Sequence, residues 1–403
     1  MRILFLTQWF DPEPTPKGIA FVKELTKKGH NVEVLTGIPN YPLGKYYDNY
    51  SFKIFSEEYI DGIRIIRAPI YPSHTNSAFQ RIITYITFTI SAIFFGIFAT
   101  KKADIIYAYH PPNIGYVASV LSFFKRIPFV HDIQDLWPDS FLSTGMISNS
   151  ILIRMIHMLC KFVYKRTSGL VVISKGFKKE LIRRGVKEEK ISVIYNWCDE
   201  TKILSSYGDQ NSSENYLNFT ILFAGNMGKA QNLDVVLDAA KILKTKSPIV
   251  QFKLVGSGTE LEKLKNRTTE EEILNVEFLP RQPMEKVGRL LKAADVLLVN
   301  LSDDSLFEIT IPSKIQSYMA IGKPILMSGA GEPAEIVELS GSGLVVPPNN
   351  PILLAEAAMI FSEMSKVDLN TMGKSGRDFY FNEFSLDVGT RKLDILFKKI
   401  AQK

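Results

Sequence analysis

From the first residues onward, short apolar runs alternate with longer amphipathic stretches. The runs that read as strands are Ile3–Thr7, Asn31–Thr36, Gly62–Arg67, Ile105–Ala108, Pro128–Asp132, Gly169–Ile173 and Ile191–Ile194. Most are apolar almost throughout, as strands buried on both faces must be, and helix-type periodicity lies between several of them. Phe21–Lys28 is one such helix, with Gly29 just beyond it, where a residue able to turn left-handed ends a helix. The polar stretch Cys198–Asn218, with Ser205-Ser206 and the run Gly208 to Ser213, breaks the rhythm, and residues 199–218 read as a linker. Alternation then resumes, with strands predicted at Phe219–Ala224, Gln251–Gly256, Val276–Leu279, Asp295–Asn300, Pro324–Met327 and Gly343–Val346. The pattern predicts an α/β protein of two tandem Rossmann-like, doubly wound domains facing a cleft. The first covers residues 1–198 and the second 219–375, and a helical segment, 376–403, is placed to return to the first domain.

Composition narrows the class. Of 403 residues, 46% are hydrophobic and 22% charged, which excludes a disordered or collagen-like chain. The two cysteines, Cys160 and Cys198, form no CxxC pair. That excludes a disulfide framework and a cysteine zinc cage, and it suits a reducing compartment. The apolar run at the amino terminus is too short for a secretory leader, so a cytoplasmic location is expected.

Charge is uneven: 25 Lys/Arg face 17 Asp/Glu in residues 1–200, against 23 and 25 in the remainder. A basic first half suits an anionic surface or ligand, or simply a solvated basic domain. Ile82 to Thr100 carries no charge and is flanked by Arg81 and Lys101-Lys102. Such a stretch is long enough to span a bilayer. Strands at Ile3 and Ile105 belong to one sheet, however, so a single crossing would separate them. A helix near 79–100 lying in the membrane interface fits both facts, as does the basic, apolar Ile151–Arg166 with Arg154, Lys161, Lys165 and Arg166. The alternative is a buried core helix. The expected location is peripheral, on the inner face of the cytoplasmic membrane, with no nucleic-acid partner.

Several clusters could carry chemistry. The loop after the first strand contains Gly18 but no GxGxxG, which weakens a dehydrogenase reading. Gly18, opening a helix, would let an anionic ligand approach the backbone, or is a turn glycine. His110 and His131 lie after strands with Asp132, Asp135 and Asp139 nearby. Their spacing matches no metal site, and acceptor-hydroxyl recognition or proton handling suits them better. In the second domain, Gly225-Asn226-Met227-Gly228-Lys229 and Val255-Gly256-Ser257-Gly258 are strand-to-glycine turns that could cradle phosphate. Pro312-Ser313 marks a helix entry and Gly322 its end, so Ser313, Lys314 and the helix amino terminus would converge on a diphosphate. Gln316 lies about one turn further in, and Glu308 just upstream could accept hydrogen bonds from sugar hydroxyls.

These motifs carry a resemblance. The second domain resembles family 4 glycosyltransferases of the GT-B fold, through Gly225, Val255–Gly258, the Glu308 segment and Tyr318–Pro324. Pro39-Asn40-Tyr41-Pro42, Asp135-Leu136-Trp137-Pro138-Asp139 and Gly225–Gly228 resemble bacterial surface-polysaccharide enzymes that transfer N-acetyl-L-fucosamine or a related amino sugar.

The resemblance implies transfer from a UDP-sugar to an undecaprenyl-diphosphate-linked sugar, in O-antigen or capsule biosynthesis, retaining and without a metal or other cofactor. On that basis Glu308, His110 and Asp135 are the expected catalytic residues. Gly225, Asn226, Lys229, Gly256, Arg281, Ser313, Lys314 and Gln316 would hold the donor, and Gly18, His131 and Asp139 the acceptor. The family's E-x7-E pair is Glu308 and Gln316 here, and its phosphate-loop Arg and Lys are Asn226 and Gln231, leaving Lys314 and Lys229 to balance the diphosphate. A UDP-sugar epimerase of the same architecture and a non-catalytic membrane-bound sugar-nucleotide binding subunit are the rival readings.

Overall fold

A computed structural model describes residues 1–73, 78–139, 149–204 and 218–402. Most of the linker expected at 199–218 lies outside the described residues. The chain forms two compact units, Met1–Tyr195 with Gly389–Lys403, and Asn196–Val388.

The first unit contains β1 (Arg2–Thr7), β2 (Asn31–Gly37), β3 (Ser56–Ile60), β4 (Ile63–Ala68), β5 (Ile105–Tyr109), β6 (Phe129–Ile133), β7 (Gly169–Val172) and β8 (Ile191–Val193). They lie in the order β3-β4-β2-β1-β5-β6-β7-β8. Every pairing is parallel except β3 with β4. β1 and β5 are buried along almost their whole length, because helices cover both faces. Phe5 stacks on Tyr107 at 5.6 Å near the centre of this core.

One strand departs from expectation. β3 is an edge strand with alternating exposure that carries Glu57 and Glu58, so it has no apolar run to reveal it. Its signal was the turn instead: Asp61 and Gly62 both have positive φ, 51° and 80°, the backbone of a tight hairpin.

The second unit contains β9 (Phe219–Asn226), β10 (Val250–Ser257), β11 (Val276–Pro280), β12 (Val296–Asn300), β13 (Ile325–Ser328) and β14 (Gly343–Val346). Its sheet is wholly parallel, in the order β11-β10-β9-β12-β13-β14. Phe223, Leu254 and Leu298 from the sheet pack with Val236 and Leu354 from covering helices. Both units are doubly wound, and in each the strand order reverses beside the first strand. Ligands lie beyond the carboxyl ends of the strands at such a reversal.

The helix Ala78–Phe98 lies on the first unit, packed beside the helix Pro112–Lys125, which in turn packs beside Ser150–Arg166. Thr84, Phe88, Ala92 and Phe95 are its buried side, whereas Ile86, Ile90, Phe94 and Phe98 are exposed at four-residue spacing. By length and composition, Gln80–Phe98 could cross a membrane.

Candidate active site

In the second unit, β9 pairs with β12 only at Ile221↔Val296 and Leu222↔Leu297, while its pairing with β10 continues to Asn226. The two strands therefore part before β9 ends. Beyond that point the buried Tyr318 hydroxyl accepts the Ala224 N–H at 2.9 Å, tying β9 to the helix Ser313–Ile321. That helix begins after Pro312 with no side-chain cap and no acidic residue in its first turn. Its amino-terminal N–H groups and positive dipole end thus have no anionic side chain of their own.

Lys314 stands in this opening. Its Nζ lies 4.7 Å from the centre of the Phe223 ring. It also lies against Gly225, where a Cβ would come within 2.7 Å of the lysine Cε and 2.9 Å of Nζ. Gly225 has φ +147°, so both its conformation and the space beside it require glycine. No carboxylate offsets the charge among the described residues, and burial alone pushes the Lys314 pKa down to about 8. A half-buried cation with no carboxylate beside it among the described residues is suited to an anion.

The neighbouring loops are held tightly. A Cβ on Gly256 would fall 1.9 Å from the Gly225 carbonyl oxygen, and one on Gly258 would fall 2.2 Å from that of Met227. The two glycine turns therefore nest, with the Met227 N–H donating to the Ser257 carbonyl at 2.8 Å. Asn226 and Lys229 are exposed on this loop, and Arg281 is exposed after β11. Gln231 faces inward and accepts the Gly228 N–H at 3.1 Å, so it braces the loop from within. Sequence reasoning missed Asn300, the single polar end of an otherwise apolar strand. Its buried Nδ2 donates to the carbonyls of Gln231 (2.7 Å) and Asn232 (3.0 Å), fixing the loop from below.

Glu308 closes the short helix Ser305–Glu308, capped by Asp304, and its side chain is exposed. Gly331, at φ +70°, lies directly behind it, and a Cβ there would sit 2.2 Å from the Glu308 carbonyl oxygen. Ser313 is exposed at the helix start. Gln316 is buried; oriented to satisfy its amide, it donates to the carbonyls of Pro312 (2.9 Å) and Ser313 (3.2 Å). A carboxylate could not donate there. The amide nitrogen, expected at the donor, has its partners at the start of its own helix.

In the first unit, His110 follows β5 at the strand reversal. Its Nε2 lies 3.3 Å from an Asp135 carboxylate oxygen. Trp9, Tyr109 and Trp137 surround the ring at centroid distances of 6.0, 6.3 and 6.5 Å. Burial pushes the imidazole pKa down, and Asp135 opposes that shift. A neutral imidazole beside a carboxylate can accept a proton. Beneath it, the fully buried Asp132 accepts hydrogen bonds from Lys17 Nζ, the Tyr107 hydroxyl and Gln134 Nε2. Buried Glu13 joins two loops by accepting N–H groups of Asn40 (2.8 Å), Tyr41 (2.7 Å) and Phe10 (3.0 Å). Burial nonetheless raises its pKa to about 7.

Three residues expected at the acceptor are engaged otherwise. Gly18 opens the helix Ile19–Lys27, but the Asp11 carboxylate accepts the Ile19 N–H at 2.6 Å and would lie 2.1 Å from a Cβ on Gly18. The chain's own anion already occupies that helix end. His131 is buried beneath Gly115, in contact range of any Cβ there, and burial pushes its pKa down to about 4. It is a neutral core group. Asp139 pairs with Arg184 at 2.6 Å, and Arg184 also donates to the Trp137 carbonyl at 2.9 Å, so together they brace the loop after β6. Among the described residues, no three His, Cys, Asp or Glu side chains are grouped to hold a metal ion.

This pair of doubly wound units matches known proteins along almost the whole chain. Residues 20–197 match the glycosyl transferase 4-like domain, and residues 209–379 match glycosyl transferases group 1. The chain belongs to this family, and it is a glycosyltransferase of the GT-B fold.

A probable glycosyltransferase, WbjE, of Pseudomonas aeruginosa is 26% identical over 276 residues, 67% of each chain. The putative colanic acid biosynthesis glycosyl transferase WcaI of Escherichia coli (strain K12) is 27% identical over 342 residues, 80% of this chain and 82% of its own. Among solved structures, sucrose-phosphate synthase from Thermosynechococcus elongatus superposes with a TM-score of 0.73 at 17% identity, over 99% of this chain and 98% of its own. Anabaena Alr3699/HepE, in complex with UDP, gives 0.71 at 16% identity, over 99% and 100%.

Proposed function

We propose that this glycosyltransferase moves an amino-deoxy sugar, N-acetyl-L-fucosamine, from a UDP-sugar to an undecaprenyl-diphosphate-linked sugar. The product would serve bacterial surface polysaccharide, O-antigen or capsule. The observation that carries the reading is Lys314, half-buried and without a carboxylate among the described residues, at an uncapped helix amino terminus. That arrangement suits a donor diphosphate, on which negative charge grows as the glycosyl bond breaks. Ser313, Gly225, Gly256, Asn226, Lys229 and Arg281 surround the donor in this reading. Glu308 positions the sugar, and Lys314 with the helix end neutralises the leaving group without a metal. His110 and Asp135 handle the acceptor hydroxyl on the first unit. Colanic acid biosynthesis in the name of WcaI, and UDP in the HepE complex, support the pathway class and the donor class.

The acceptor's lipid calls for a membrane surface, and the first unit offers one. The exposed row Ile86, Ile90, Phe94 and Phe98 lies on a helix beside exposed Phe123 and Phe124. A second exposed row, Ile151, Met155, Met158 and Phe162, lies on the helix Ser150–Arg166, which packs beside Pro112–Lys125. Exposed Arg154, Lys161, Lys165 and Arg166 flank that last row. Apolar rows edged by cations suit an anionic leaflet, on the inner face of the cytoplasmic membrane.

The test is a panel of UDP-sugars offered with polyprenyl-diphosphate-N-acetylglucosamine, followed by mass spectrometry of the lipid. Transfer of an N-acetyl-deoxyhexosamine is expected. Transfer of another sugar overturns the donor assignment, and UDP-sugar conversion without acceptor overturns the transfer itself.

A further inference from the structure

The first unit contains a second concavity, separate from the His110 crevice. It is an open groove of about 570 Å³ between the helix Ala78–Phe98 and two segments, 46–54 and 69–72. That size lies within the range of about 300–1,000 Å³ usual for small-ligand sites. Four of its lining residues carry hydroxyls; that of Tyr71 belongs to an exposed residue, and the other three are already used within the chain. Tyr46 donates to the Ile70 carbonyl at 2.9 Å and Ser91 to the Pro69 carbonyl at 2.6 Å. Thr87 accepts the Tyr71 N–H at 3.0 Å and donates to the Ile83 carbonyl at 2.8 Å. The rest of the lining is apolar, with Phe52, Ile54, Ile90 and Phe94 exposed. A groove lined almost wholly by carbon, with three of its four hydroxyls already bonded, favours hydrocarbon, because a polar group entering it would lose water for few partners.

We propose that this groove binds the isoprenyl chain of the lipid-diphosphate acceptor; this rests on the acceptor class proposed above. Two observations commit it to that occupant. First, Ile90 and Phe94 belong both to the groove and to the exposed row assigned to the membrane surface, so the groove opens where a lipid chain would arrive. Second, one loop serves both the groove and the crevice. Tyr41 packs on Trp9 at 5.1 Å, Trp9 packs on His110, and the Tyr47 hydroxyl donates to the Tyr41 carbonyl at 2.8 Å. Tyr46 of the same loop lines the groove, and five residues of chain reach no further than roughly 17 Å. Head and tail of one lipid can therefore be held together. Exposed Lys45 and Lys53 bracket this loop and outnumber exposed Asp48, giving it the charge a diphosphate requires.

The test is fluorescence titration of the full chain, in detergent below its micelle concentration, with an anthraniloyl-labelled C15 isoprenyl diphosphate. Ile54→Glu, a surface change, should weaken binding at least tenfold, and Ile54→Val should restore it, with the same melting temperature in all three proteins. Absence of binding, or equal binding by Ile54→Glu, overturns the groove. Equal affinity for a labelled straight-chain alkyl diphosphate overturns the isoprenyl assignment. Isoprenyl binding that depends on Ile54, in a protein that transfers no sugar to any lipid diphosphate, leaves the groove standing and overturns the acceptor reading instead.

Discussion

The two strand reversals are built alike and finished differently. In the first unit, the helix after β1 begins at an end filled by Asp11, and the buried Lys17 has Asp132 as its partner. In the second unit, the helix at Ser313 is uncapped and Lys314 has no carboxylate among the described residues. One unit has satisfied its own charges, leaving at its crevice a neutral imidazole ringed by aromatics. The other keeps an unmatched positive charge. In the function proposed above, the difference fits an anion to the second crevice and a hydroxyl-bearing sugar to the first. It also shows that shared topology does not decide this.

The sharpest way to break the comparison is to remove each lysine's charge while keeping its bulk. Lys17→Met leaves a buried carboxylate uncompensated and should cost about 3–5 kcal/mol of stability, measured by denaturant unfolding. Lys314→Met should act in the opposite sense. Turnover should drop about a hundredfold as the leaving group loses a charge, while melting temperature holds or rises. Near-normal UDP release with acceptor in that variant would end the phosphate assignment.

Gly331→Ala comes next. With φ +70° and a carbonyl oxygen 2.2 Å from the new Cβ, it should cost about 1–3 kcal/mol. Turnover should fall with it, as Glu308 shifts. Unchanged stability would mean the turn relaxes freely.

A smaller effect separates the units by pH. Lys314 is held near 8, below its ordinary 10.5. UDP affinity should therefore decline above pH 8, approaching about tenfold per unit, as the ammonium loses its proton. Without ligand, a lysine with a depressed pKa gives stability as pH rises from 8 toward 10.5 and takes it away as pH falls back. Affinity and stability should thus move oppositely across that window, by calorimetry, and Lys314→Gln should flatten both. Smallest of all, Asp11→Ala should cost about 1 kcal/mol through the lost cap. It should also expose the Ile19 helix end to phosphate, detectable as a chemical-shift change at Ile19 in wild-type-like folded protein.

Much of the backbone was legible in the order of residues. Every strand predicted from an apolar run is present, because a strand covered on both faces tolerates almost nothing else. Ser56–Ile60 escaped because an edge strand needs only one apolar side, and only Asp61-Gly62 announced it. Side-chain roles were less legible. Gly18 carried the marks of an anion site, and nothing nearby revealed that Asp11 would fold back onto it. His131 and Asp139 share a short run with Asp135, yet one faces the core, one faces Arg184 and one faces His110. Neighbours along a strand and its loop point in different directions, so proximity in sequence says little about a shared site.

The residue pattern alone determined the parallel strands of two sheets and the helices between them, since these follow from local periodicity and backbone sterics. The folded arrangement decided which charges were neutralised. Lys17 meets Asp132 across 115 residues of chain, while Lys314 lies against Phe223 and Gly225 with no carboxylate beside it among the described residues. The free energy of a charge depends on everything packed around it, and that environment exists only once distant segments have come together.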